Sequence, residues 1–275
     1  MAAPSSPWLP PRRPQPAGAL RLFCFPFAGG GASTYREWQA ALGPGVEVCP
    51  VQLPGREERM NERAETSLRV LVSRLADGLE PWLRGRFAFF GHSMGALVQY
   101  ELTRELERRG APLPLLMMPS ARRAPHLALE GEPIHDLPEK DFIDALVRRY
   151  QAIPQTVLAE PELMALFVPL LKADFRLLET YRPDLAAPLL DVPIHAFAGA
   201  ADTGESVALA FRWRELSRGP FRLDAIDGGH FFVSEARGAL LQAVSGAIVA
   251  ALNPGRVAEP SSRPVSQPMG LRAQR

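Results

Sequence analysis

The chain has 275 residues, 47% apolar and 22% charged, with 31 Lys and Arg against 30 Asp and Glu. That length allows one sizeable domain with a large core, and the composition is ordinary for a globular protein. A formal net charge of +1 sets up no general field toward nucleic acid or an anionic membrane, so neither is expected as a partner.

Residues 1–18 are rich in proline and are expected to form a disordered leader. They lack the apolar run of a signal peptide. Residues 253–275 have the same character and are expected to be a disordered tail. The folded unit is expected over residues 19–252, and it contains no apolar run near the roughly 18 residues a membrane span needs. Cys24 and Cys49 lie in apolar, strand-like stretches. Free buried thiols fit a reducing, cytoplasmic location. A monomer is the default expectation.

Strands are expected at L-R-L-F-C-F-P (20–26) and V-E-V-C-P-V (46–51). Leu68, Leu71, Val72, Leu75, Leu79, Trp82 and Leu83 then recur at helical spacing, with Thr66 as candidate N-cap. R-F-A-F-F (86–90) reads as a strand, and Ala96 to Arg109 as a helix through Val98, Leu102 and Leu106. Further strands are expected at 113–118, 193–199 and 221–226, with a last helix from Glu235 to Leu252. Alternating strands and helices, with near-continuous apolar strands, predict an α/β fold: a mostly parallel central sheet with helices on both faces. Residues 128–184 are helical in pattern without strand signals, and Pro169 is expected to kink or divide the second helix there. An insertion late in such a sheet lies over the carboxyl ends of the strands, where ligands bind, so it is expected to be a lid.

The stretch F-F-G-H-S-M-G-A-L (89–97) places a hydroxyl between two glycines at the junction of a strand and a helix. G-x-S-x-G in that context forms a tight turn that presents the serine Oγ at the sheet's edge. A Cβ at either glycine would collide with neighbouring backbone. Ser93 is therefore the candidate nucleophile, and it needs a base. In this arrangement the acid and then the histidine follow the serine along the chain. His230, in D-G-G-H-F-F after the last strand, is the candidate base. His126 and His135 read as surface or pocket-rim groups, and His195 as a core histidine. His92 adjoins the nucleophile but points elsewhere. Asp202, in the loop after the preceding strand, is the candidate orienting acid, with Asp224 and Asp227 as competitors. An oxyanion hole needs two backbone N–H groups. Met94 would supply one. The turn F-P-F-A-G-G-G (25–31) would supply the other, from Ala28 or its rival Phe27. The triple glycine is a weak match to a phosphate loop, because no lysine follows it.

F-C-F-P-F-A-G-G-G-A-S, Q-L-P-G-R-E-E-R, F-F-G-H-S-M-G-A, S-A-R-R-A-P-H, R-R-Y-Q-A-I-P, P-L-L-K-A-D and D-G-G-H-F-F together resemble the type II thioesterases of polyketide and nonribosomal peptide synthesis, which are α/β-hydrolases. The resemblance runs from about Leu20 to Leu252. It implies hydrolysis of acyl groups from the phosphopantetheine arm of acyl or peptidyl carrier proteins, as editing of misprimed or stalled carriers. No metal or other cofactor is implied. The family usually carries His where this chain has Phe27, and Asp-Asp where it has Asp202-Thr203. Both departures bear on substrate preference rather than on the triad.

Phe27, Phe142, Phe167, Leu170 and Phe231 are the candidate substrate-lining residues, with Leu146, Leu163 and Phe175 as further lid positions; packing within the lid is the alternative for most of these. Arg56, Arg59, Arg122 and Arg123 flank the expected site, as a docking face for an acidic carrier or a solvated basic surface. Competing functions are an esterase or lipase acting on free esters, an acyltransferase or dedicated release enzyme, and a silent carrier-binding protein.

Overall fold

The computed structural model describes residues 6–11, 16, 18–129, 131–150 and 160–253. Most of the expected leader and tail, residues 151–154 of R-R-Y-Q-A-I-P and the side chain of Leu163 lie outside the described residues.

Six strands form one parallel sheet: β1 (Leu20–Phe25), β2 (Val46–Pro50), β3 (Phe87–His92), β4 (Met117–Ser120), β5 (Ile194–Gly199) and β6 (Phe221–Ile226), in the order β2-β1-β3-β4-β5-β6. The chain order reverses beside β1 and β3, and both the serine turn and the glycine-rich turn leave the sheet there. Strand alternation assigns the faces. Phe23, Phe25, Phe87 and Phe89 pack on one side against α2 (Leu68–Leu79) and α3 (Met94–Arg108). Leu22, Cys24, Ala88 and Phe90 pack on the other, against Trp38 of α1 (Trp38–Leu42) and Leu240 and Val244 of α8 (Arg237–Leu252). The expected α/β sheet with both faces covered is what forms. Each fully buried Phe or Leu contributes about 1.5–3 kcal/mol, so β1 and β3 are the anchored centre on which the site is built. Among the described residues no helix is long and apolar enough to cross a membrane.

Between β4 and β5 stand α4 (Glu139–Tyr150) and α5 (Pro161–Glu179). Phe142, Ala145 and Leu146 of α4 pack with Met164, Val168, Leu171 and Phe175 of α5 in a separate cluster that also touches Ala28. The expected insertion therefore has its own small core and rests on the glycine-rich turn after β1. Two short helices, α6 (Val207–Phe211) and α7 (Phe232–Glu235), follow β5 and β6.

Several expectations are corrected. Of the two outcomes expected at Pro169, division does not occur: helix α5 runs through it, with Met164 and Val168 before it and Leu171 and Phe175 after it held in one cluster. Strand β4 begins at Met117 instead of residue 113. Pro112 and Pro114 have no N–H to give a ladder, and pairing starts when Leu115 donates to the Phe87 carbonyl at 2.8 Å. Helix α2 starts at Leu68 and follows Ser67, so Thr66 is not its N-cap.

The expected disordered leader is ordered over residues 6–11. Trp8 and Leu9 are only 5% and 4% exposed and belong to the main core. The Trp8 carbonyl accepts from the Gln52 N–H at 2.8 Å, and the Arg59 guanidinium lies 4.3 Å over the indole. The indole occupies the space left open at Gly78 of α2, where a Cβ would stand 2.1 Å from its Nε1. Two large apolar side chains offset the ordering entropy that the proline-rich composition otherwise leaves uncompensated.

Candidate active site

The turn between β3 and α3 is built by close approach. A Cβ on Gly91 would lie 2.1 Å from the Gly95 carbonyl oxygen, and one on Gly95 would lie 2.1 Å from the Phe25 carbonyl oxygen. Both positions therefore require glycine, and Ser93 between them takes φ 54°, ψ −111°. This is a strained conformation for a residue with a side chain. It is held by the Ser93 N–H to Ser120 carbonyl bond at 2.8 Å and by the Ala96 N–H to Ser93 carbonyl bond at 3.0 Å.

The Ser93 Oγ is 3.0 Å from His230 Nε2, and His230 Nδ1 is 2.7 Å from Asp202 Oδ2. The three residues come from the ends of β3, β5 and β6, separated by 109 and 28 positions in the chain but joined in one relay. The second Asp202 oxygen accepts from the Gly204 N–H at 3.0 Å and the Glu205 N–H at 2.9 Å. Burial opposes ionisation of Asp202, but the His230 hydrogen bond and these two amides outweigh it and hold the carboxyl below its ordinary range. A carboxylate fixed on both oxygens orients Nδ1–H of the ring and turns Nε2 toward the serine hydroxyl as its proton acceptor. The competing acids are occupied elsewhere or not part of the relay. Asp224 binds His195 Nε2 at 2.9 Å, and that ring stacks on Phe197 at 4.9 Å, so His195 is the satisfied histidine expected.

His92 is fully buried behind the relay. Its Nε2 is 2.8 Å from the His230 carbonyl oxygen and its Nδ1 is 2.9 Å from Ser120 Oγ. It therefore does point away from the nucleophile, and it braces the backbone of the candidate base, a role its sequence position did not suggest. His126 and His135 pair with Glu215 and Glu179, away from the relay.

Met94 is the first residue of α3, so its N–H has no acceptor inside the helix. In the opposite turn the Gly29 N–H donates to Asp174 Oδ2 at 2.8 Å and the Gly30 N–H to the Phe27 carbonyl at 2.9 Å. Among the described residues the Phe27 and Ala28 amides have no acceptor within the protein. The Gly31 N–H likewise donates to no acceptor among the described residues, so three amides of the turn are available.

The candidate lining residues separate into groups. Phe27 and Phe231 meet edge to face at 5.4 Å, and Phe231 lies 5.2 Å from the His230 ring, so both stand beside the relay. Phe167 is 37% exposed and, with Leu171, packs against Gly29. Leu170 is buried. Phe142 is fully buried within the lid's own core, edge to face with Phe175 at 5.8 Å, and is not on an open wall. Two cavities, of 1140 and 710 Å³, have neither Ser93 nor His230 in their walls. The smaller one reaches Thr203, Gly204 and Glu205 beside Asp202.

The four arginines do not form a docking face, because each is buried and paired. Arg56 binds Asp174 through two bonds of 2.9 and 2.8 Å. Arg59 binds Glu62 twice at 2.6 Å beneath Trp8. Arg123 and Arg122 lie 3.2 and 3.7 Å from Glu205, whose own N–H holds Asp202. Two of the four thus support the acid loop. Among the described residues no group of three or more His, Cys, Asp or Glu side chains is placed to hold a metal ion.

A model of the thioesterase domain family matches residues 20–248. The chain belongs to the thioesterase family. This thioesterase is 38% identical over 221 residues to gramicidin S biosynthesis protein GrsT of Aneurinibacillus migulanus, covering 80% of this chain and 86% of that one. It is 38% identical over 229 residues to thioesterase PikA5 of Streptomyces venezuelae, covering 83% and 80%. The solved structure of the type II thioesterase BorB from the borrelidin biosynthetic cluster superposes with a TM-score of 0.80 at 35% identity, covering 91% of this thioesterase and all of BorB. The resemblance to type II thioesterases, and the α/β-hydrolase fold it implies, are borne out.

Proposed function

We propose that this thioesterase removes acyl groups from the phosphopantetheine arm of acyl or peptidyl carrier proteins, through an acyl-serine on Ser93. The observation that carries this reading is the continuous relay from Ser93 through His230 to Asp202, at 3.0 and 2.7 Å. Relatives named for gramicidin S biosynthesis and as the type II thioesterase of borrelidin biosynthesis support this reading, and the role we assign is the editing of misprimed or stalled carriers.

His230 Nε2 takes the Ser93 proton as Oγ bonds to the thioester carbonyl carbon. The carbonyl electrons collect on oxygen, where the Ala28 and Met94 amides donate to the oxyanion. The tetrahedral adduct collapses, the C–S bond breaks, and His230 returns the proton to the departing pantetheine thiolate. Water then attacks the acyl-serine, giving its proton to His230, and the acid leaves as Ser93 is reprotonated. The buried thiols of Cys24 and Cys49 fit a cytoplasmic enzyme.

The Phe27–Phe231 pair favours a second reading, transfer of the acyl group to an acceptor other than water, because it sets an apolar wall beside the relay. Intact-protein mass spectrometry of carriers loaded with acetyl, propionyl, longer acyl and aminoacyl groups separates the two. Loss of short acyl groups with wild-type enzyme, and a fall of about 10³-fold or more with Ser93→Ala, is the expected result. An acyl group trapped on Ser93 until an amine or alcohol is added would favour transfer. Near-wild-type turnover by folded Ser93→Ala would end the assignment.

A further inference from the structure

The motifs P-L-L-K-A-D and Q-L-P-G-R-E-E-R have no place in the relay, yet the fold brings them together. Asp174 of α5 is 1% exposed and Arg56 is 5% exposed. Asp174 Oδ1 accepts from Arg56 Nη2 at 2.8 Å, and Oδ2 accepts from Arg56 Nη1 at 2.9 Å and from the Gly29 N–H at 2.8 Å. Arg56 Nη1 also donates to the Gly30 carbonyl at 3.2 Å, and Nε donates to the Pro54 carbonyl at 3.3 Å. A single buried ion pair therefore holds the two peptides that flank the Gly29–Gly30 bond, at the Gly29 N–H from the lid helix and at the Gly30 carbonyl from the 54–56 loop.

Resting on the proposed relay and oxyanion hole, we infer that Asp174 and Arg56 are positioning residues that set the Ala28 amide for catalysis and make its placement depend on the lid helix being seated. Gly29, next to Ala28, holds φ 77°, and a Cβ there would stand 2.7 Å from Leu171 of the same helix. The turn has neither side-chain bulk nor a preferred right-handed backbone to fix it. Its orientation is supplied from outside, by the carboxylate that takes the Gly29 N–H. Asparagine in its place leaves the buried guanidinium without its anion and offers one amide oxygen where two carboxylate oxygens served Arg56 and the Gly29 N–H. The Ala28–Gly29 peptide can then turn, and the adjoining Ala28 backbone that carries the oxyanion donor loses its anchor. The same bond explains why the loop presents Ala28 and not Gly29: the Gly29 donor is already committed. Lifting α5 to admit an acyl arm would withdraw Asp174 and weaken the oxyanion hole until the helix reseats. That couples substrate enclosure to chemistry.

The test compares wild type, Asp174→Asn, Arg56→Lys and the Ser93→Ala control on a short acyl-pantetheine thioester, with melting curves for each. A misplaced oxyanion donor is felt in the transition state, so kcat should fall about 10–100-fold while KM stays within about 3-fold. A pantetheine trifluoromethyl ketone provides a second readout. Ser93 Oγ adds to its carbonyl carbon, His230 takes the proton, and the ketone oxygen becomes the held oxyanion. Its inhibition constant should rise in step with the fall in kcat/KM. Arg56→Lys keeps the charge but not the two-point bond, and should show the same pattern more weakly even if Asp174→Asn folds poorly. Folded variants with unchanged kcat, or with inhibitor binding unchanged while the melting temperature drops, would overturn the inference. If Ser93→Ala stays active, the proposed relay itself fails; if it is dead while the Asp174 and Arg56 variants keep full kcat, only the positioning role fails.

Discussion

Replacing Gly95 with alanine sets two effects against each other. Gly95 is the second residue of α3, and alanine in a helix is favoured over glycine by about 0.8–1.0 kcal/mol. The new methyl would stand 2.1 Å from the Phe25 carbonyl oxygen, 2.6 Å from its carbon and 2.9 Å from the Pro26 oxygen. All three atoms are backbone, so no side chain can rotate away. Phe25 ends β1, which is paired on both edges by β2 and β3, and Pro26 opens the turn that carries Ala28. Overpacking a tight site costs about 1–3 kcal/mol and occasionally more. Contact with fixed backbone puts this case at the upper end, so the clash wins and the net loss is about 2 kcal/mol. For a domain of this size that lowers the melting temperature by about 4–8 °C. The strain is relieved by moving the start of α3 away from the end of β1, which separates the Met94 amide from the Ala28 amide. A displacement near 1 Å costs about 10²-fold in kcat. Thermal melting and acyl-pantetheine hydrolysis on the same preparation check both numbers. A Gly95→Ala protein that melts at or above wild type, with kcat within about 3-fold, would refute the claim that this approach spaces the oxyanion donors.

Asp202→Asn should fold but turn over about 10³–10⁴-fold more slowly, because the amide no longer holds the ring in its working orientation or stabilises the imidazolium; steady-state rates with circular dichroism check this. The Asp202 carboxyl is held below its ordinary 3.8, so in acid the unfolded state binds more protons than the folded one. Its stabilising contribution is complete above the unfolded value and drains as pH falls through the lower folded value. The melting temperature of Asp202→Asn should therefore fall less steeply than wild type below about pH 4. Trp8→Ala removes a core indole and should destabilise by about 3–5 kcal/mol, seen in urea melts, while kcat changes little. Equal stability would show that the ordered leader contributes no packing.

The relay was legible because its signals are local. G-H-S-M-G requires glycines at set offsets whatever the rest of the chain does, and the order serine, acid, histidine follows from strands that present their loops at one edge. The sheet was legible for a related reason: strands buried on both faces read as continuous apolar runs. Partners distant in sequence were not legible. Arg56 and Asp174 are 118 positions apart, and each alone reads as an ordinary surface charge. Arg122 and Arg123 look like a basic patch until Glu205 is placed beside them. Trp8 was hidden by its proline-rich neighbours, since composition averages over the two residues that matter. The start of β4 was misplaced because apolarity marks burial, whereas hydrogen-bonding capacity decides where a ladder begins.

His92 shows how the same surroundings divide the work between two neighbouring histidines. The rings of His92 and His230 lie 5.7 Å apart. A carbonyl oxygen only accepts, so the 2.8 Å contact with the His230 carbonyl makes His92 Nε2 the protonated nitrogen, and Nδ1 accepts from the Ser120 hydroxyl. Burial, and next the nearby His230, push the His92 value down to about 3. His92 is therefore neutral at every pH at which the enzyme would work. Neutrality matters, because a second cation at that distance would oppose the His230 imidazolium that forms as Ser93 attacks. A neutral ring also keeps its single N–H on the His230 backbone, holding the base without competing for its proton. An apolar residue in that place would avoid the charge but remove the donor that His92 gives the His230 carbonyl and the acceptor it gives the Ser120 hydroxyl, and a lost buried hydrogen bond costs about 1–3 kcal/mol. A buried, neutral histidine satisfies both polar groups and adds no charge.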